Sequence, residues 1–65
     1  MKDKHFGYAP IKILWIMNDE ILKIGYAQSE REAEEEISKS HNRRLGKAMI
    51  LYRSTRLGQY VSVPD

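Results

Sequence analysis

The sequence predicts a small α+β domain: an antiparallel sheet of order β-β-α-β, with room for a short fourth strand, and one helix packed on one face. Three observations carry this. Two Ile-rich runs flank the turn-forming triplet Asn18-Asp19-Glu20, a Ser-led and Glu-rich stretch follows, and a further apolar run, Lys47 to Ser54, comes after a glycine. A hairpin of two such runs followed by a lone helix and a further strand is an α+β arrangement, with an antiparallel hairpin and the helix on one side of the sheet.

Pro10 fixes the backbone and removes a donor just ahead of "IKILWIM", Ile11 to Met17, which suits the start of a strand. Asn18 and Asp19 tolerate positive φ, so the chain reverses there into "ILKIGYA", Ile21 to Ala27. A turn at Asn18-Asp19 pairs Trp15 with Leu22; a turn at Asp19-Glu20 pairs Trp15 with Ile24. The two registers differ by an even step, so both predict one shared face of Ile11, Ile13, Trp15, Met17, Leu22, Ile24 and Tyr26.

In "SEREAEEE", Ser29 is a good N-cap and Glu32 completes a capping box. Glutamates crowd the first turns and Lys39, Arg43 and Arg44 load the last, each matched to the helix dipole. Gly46 is a natural residue to end the helix. The helix is expected over 30–44, with a thin apolar stripe of Ala33, Ile37, His41 and Leu45. Lys47 to Ser54 is the third strand, able to lie beside either hairpin strand. "TRLG" turns the chain near Gly58, and Gln59 to Val63 is a short fourth strand ended by Pro64.

Sixty-five residues form one small domain, and a chain of this size buries only about 60% of its unfolded surface. Without Cys there is no disulfide and no thiolate metal site. His5 and His41 stand far apart, so neither a closed metal site nor a cofactor is expected. No apolar run approaches the roughly 20 residues of a membrane span, and the charged first residues are no signal peptide. The expectation is a complete, soluble, cytoplasmic gene product.

"ILKIGYAQ" ahead of a helix loosely resembles the second motif of the GIY-YIG nucleases. Lys23 stands where that family has Tyr, "IKILWIM" has no Gly-Ile-Tyr, and Ala33 and Glu34 stand near the place of the catalytic Arg, so no nuclease is expected. No other nucleophile, phosphate loop or metal spacing is present. The glutamates read as a solvated, dipole-matched helix face, and His41 as a cation at the helix end.

What is left is surface. "IKILWIM" is apolar at six of seven positions, yet a strand with one wet face should alternate. Its second face groups Leu14, Ile16, Ile21, Met49 and Leu51, fringed by Lys12, Lys23 and Arg53. This makes Leu14, Ile16, Lys23, Met49, Leu51 and Arg53 the candidate partner-binding residues, for a protein partner or a second copy in a homodimer. The competing cover is internal: Phe6 and Tyr8 from the N-terminal arm, with Tyr60, Val61 and Val63 from the tail.

A hairpin followed by "A-x-S-x-x-E-A", Ala27 to Ala33, is similar in outline to some short phage proteins, among them inhibitors of host RNA polymerase. That resemblance implies a regulator or inhibitor and carries no residues over. The alternative is nucleic-acid binding. Residues 1–36 hold five Lys/Arg against eight Asp/Glu and residues 37–65 hold six against one, so the charge passes from −3 to +5. Lys39, Arg43, Arg44, Lys47, Arg53 and Arg56, with Tyr52 and Tyr60 for stacking, are the residues that would serve it.

Overall fold

The computed structural model describes residues 7–63; His5, Phe6 and Pro64 fall outside them. The order is β1 (Ile11–Met17), β2 (Glu20–Ala27), α1 (Glu30–Ser38), α2 (Ser40–Arg43), β3 (Lys47–Ser54) and β4 (Gln59–Val61). The strands form one antiparallel sheet in the order β2-β1-β3-β4, and α1 packs on it. This is the small α+β architecture expected, with β3 settled beside β1. The first strand is therefore interior to the sheet, which explains its dense apolar content.

Asn18 and Asp19 take φ of 52° and 63°, the left-handed pair of a tight hairpin turn. The strands leaving it do not keep the expected register. Met17 lies opposite Glu20 and Ile16 opposite Ile21, but Trp15 lies opposite Lys23, so Leu22 is an extra residue in a β-bulge. One extra residue is an odd step, and it exchanges the faces of everything after it. Lys23, Gly25 and Ala27 join Ile11, Ile13 and Trp15 beneath the helix, while Ile24 and Tyr26 turn to the other side. Leu22, Ile24 and Tyr26 are thus not part of the core face, and Met17 is 42% exposed at its end.

The cause is the size of the indole. A Cβ at Gly25 would lie 2.9 Å from Trp15 Cζ3 and 3.2 Å from Cη2. No Ile in this place could accommodate the ring, whereas a glycine gives it a flat seat. Gly25→Ala should cost about 1–3 kcal/mol by forcing the ring aside, read as a lower urea midpoint; an unchanged midpoint would remove this account of the register.

Ile11, Ile13, Trp15, Ala27 and Ala33 form the buried cluster, with Ile37, Leu45, Ala48, Ile50 and Tyr52 packed on it. Ser29 caps α1 as expected, its Oγ accepting from the Glu32 amide at 3.2 Å. The helix is not continuous to residue 44, however. It stops at Lys39, whose φ of −61° and ψ of 135° are extended. The break lets Asn42, rather than His41, turn inward: Asn42 is fully buried and His41 is exposed. Asn42 Nδ2 donates to the Glu36 carbonyl at 2.7 Å, adding to the longer bond of 3.3 Å that the Lys39 amide makes to the same oxygen at the end of α1. Leu45 still reaches the core, and Gly46, at φ 100°, passes where a Cβ would meet the Ile16 carbonyl at 2.9 Å.

At the opposite end, Ser54 is buried and its Oγ accepts from the Leu57 amide at 3.1 Å, closing the turn to β4. That strand is shorter than expected, ending at Val61 rather than Val63.

Candidate functional site

The sheet has an inner face under the helices and an outer face with no helix on it. Residues opposite one another in an antiparallel ladder share a face. The pairing, with alternation along β3, therefore assigns Lys12, Leu14 and Ile16 of β1, Ile24 and Tyr26 of β2, and Lys47, Met49, Leu51 and Arg53 of β3 to the outer side. Ile21 stands opposite Ile16 on the same side.

One end of this face is covered. Tyr60 lies opposite Arg53, and its hydroxyl donates to the Ala9 carbonyl at 2.6 Å and accepts from the Ala9 amide at 3.2 Å. The Tyr26 ring lies between Tyr8, centroid 4.8 Å away, and Tyr60, at 6.2 Å. Lys12 is only 7% exposed, with its ammonium 5.3 Å from the Tyr60 centroid. The arm and tail do therefore meet the sheet, but at Lys12 and Tyr26, away from Leu14 and Ile16. Val61 lies opposite Tyr52, on the inner side, and Val63 is exposed.

Among the described residues, nothing covers the other end. Ile21, Ile24 and Met49 are 56%, 42% and 41% exposed, and Leu14, Ile16 and Leu51 are half-buried between them. Of the expected partner-binding residues, Leu14, Ile16, Met49 and Leu51 come together here and Arg53 stands at the covered end. Lys23 does not belong to the group. The bulge places it on the inner face, where its ammonium donates to Asn42 Oδ1 at 2.6 Å and lies 5.2 Å from the Trp15 centroid. Ile24, assigned by the sequence to the core, takes its place on the outer face. The signal that could have found this was Gly25: a glycine inside a strand with a tryptophan close by marks a bulge or a close approach.

The residues expected to hold nucleic acid are scattered. Lys39 is paired with Glu36 beyond the end of α1. That hydrogen bond, against partial desolvation, holds the Glu36 carboxyl below the usual carboxylate range, with the charges of Lys39, Lys23 and His41 adding to it. Arg43 and Arg44 are exposed at the end of α2, beside Lys47, while Arg53 and Arg56 lie at the far end of β3. Lys47 and Arg53 are six positions apart along the strand, about 20 Å at roughly 3.3 Å per residue. Tyr52 is on the inner face with its hydroxyl donating to Glu30 Oε1 at 3.4 Å, and Tyr60 is buried on the outer face. The two tyrosines cannot form one stacking surface.

Among the described residues no group of three or more His, Asp or Glu is placed to share a metal ion, and no helix is long and apolar enough to cross a membrane. No protein-family model, curated protein or solved structure is significantly similar to this chain.

Proposed function

We propose that this chain is a small non-enzymatic binding module, a regulator or inhibitor that docks onto a protein partner through the open end of its outer sheet face. The observation that supports the reading is the apolar group of Leu14, Ile16, Ile21, Ile24, Met49 and Leu51, all half-buried or exposed on one side of one sheet. Contiguous apolar surface of this kind marks interfaces, and Met at its centre adapts to the shape of what it meets. The sheet edges are poorer docking sites. The β2 edge is bent by a bulge and carries Lys23, both devices that discourage strand addition, and β4 is only three residues long.

Leu51→Glu tests the reading. The variant should remain folded, losing no more than about 2 kcal/mol of unfolding free energy, because the side chain is half-buried and outside the core cluster. It should lose the ability to bind through this face. Circular dichroism and a urea titration check the first part, and a variant that unfolds would make the outer face core and end the proposal.

A further inference from the structure

We infer that the partner's matching surface is acidic: apolar side chains flanked by Asp or Glu carboxylates. This rests on the docking reading above and adds the partner's chemistry to it. Among the described residues, the charges the outer face carries are Lys12, Lys47 and Arg53, and no Asp or Glu occupies any of its ladder positions. Glu20, opposite Met17, falls on the inner side, and Asp19 sits in the turn beyond the end of the face. The glutamates of α1 lie on the helix side of the sheet. Lys47 and Arg53 are both exposed, one near each end of β3, so they frame the apolar group between them.

This framing decides among occupants. A second copy in a two-fold dimer would bring the same patch to itself. Whatever the rotation, every approach of charge to charge among these ladder residues would then be cation on cation, and like-charge juxtaposition across an interface opposes association. A copy that offered its acidic helix instead would complement the charge, but that contact is head-to-tail and builds open chains rather than a closed pair. A nucleic-acid strand needs cations spaced along its backbone. Here the two exposed cations stand about 20 Å apart at ~3.3 Å per residue, and phosphates between them would lie on Leu14, Met49 and Leu51. A protein surface with an apolar centre and carboxylates at its margin matches both the middle and the ends.

The test is a selection of displayed random peptides on the full chain, with counter-selection on Leu51→Glu. Peptides that depend on Leu51 should combine apolar anchors with a net negative charge. They should bind the charge-reversed variant Lys47→Glu/Arg53→Glu about tenfold more weakly at low salt, the size expected of two exposed ion pairs. Circular dichroism of that variant confirms that it is folded. Leu51-dependent peptides that are neutral or basic would overturn the inference and leave the docking reading standing. Failure to recover any Leu51-dependent peptide would overturn the docking reading itself. A dimer in sedimentation that Leu51→Glu dissociates would replace the acidic partner by a second copy. Binding of a single-stranded DNA oligonucleotide that tolerates Leu51→Glu and collapses with added salt would replace it by nucleic acid.

Discussion

Trp15→Ala should leave a chain with no cooperative unfolding transition at 25 °C. Trp15 is 1% exposed on the interior strand, with Lys23 and Ala48 as its ladder neighbours and Gly25 against its ring. Truncating a buried aromatic costs about 3–5 kcal/mol in lost burial and residual cavity. A domain of this length has on the order of 3–10 kcal/mol in total, at about 0.05–0.15 kcal/mol per residue. The loss therefore takes from about a third to all of the stability of a fold whose buried cluster is otherwise two isoleucines and two alanines, and Trp15 is its largest member. The Lys23 ammonium would also lose the ring it lies over, a contact worth about 0.5–2 kcal/mol. A urea titration followed by far-ultraviolet circular dichroism reads the result. A sigmoidal transition near the parent midpoint would show that the core does not depend on the indole.

Asn42→Ala should cost about 2–4 kcal/mol, more than a surface polar residue ever does. The amide makes two bonds in a fully buried place: Oδ1 accepts from the Lys23 ammonium and Nδ2 donates to the Glu36 carbonyl. Alanine removes both at once. It takes the amide partner from a part-buried cation and leaves the Glu36 carbonyl with only the Lys39 amide at 3.3 Å, and unmade hydrogen bonds of buried groups are costlier than made ones are favourable. Because Asn42 joins α1, α2 and β2, the loss should be local before it is global. Amide exchange over residues 39–45 should accelerate at urea concentrations where β1 and β3 remain protected. An effect below about 1 kcal/mol would mean that the Lys23 ammonium and the Glu36 carbonyl are served equally well by water.

Both residues show why the sequence was legible in one place and opaque in another. Features set by a few neighbouring residues could be read directly: the Asn18-Asp19 turn, the Ser29 cap, the end of the helical region at Gly46 and the bounds of β3. Each depends on backbone preferences or on bonds spanning three or four residues. The register after the turn could not be read this way. Periodicity alone favoured Leu22 and Ile24 as partners of the core, and the competing demand came from an indole on another strand needing a glycine beneath it. The break at Lys39 was hidden for a similar reason. Charge pattern and propensity describe one helix to residue 44, while the partner that draws Asn42 inward, Lys23, is nineteen residues away. The candidate surface followed the same rule. Leu14, Ile16, Met49 and Leu51 were found because alternation on β1 and β3 is regular. Lys23 was misplaced and Ile24 missed because alternation on β2 changes phase at the bulge.

That change of phase gives β2 an uncommon tolerance. Leu22 is the unmatched residue of the hairpin, and the pairs on either side of it, Ile16 with Ile21 and Trp15 with Lys23, are already in step with β1. Removal of one residue at this point would shorten the strand without moving any inward side chain outward. In a regular ladder the same loss would invert everything beyond it. A coding sequence can thus lose a triplet here and keep the same interior. The outer surface would still be revised, because Leu22 stands 45% exposed beside Ile21 at its margin. The hairpin therefore separates two things that a strand ordinarily ties together: the length of the segment, open to variation, and the identity of what lies beneath the helix, held fixed.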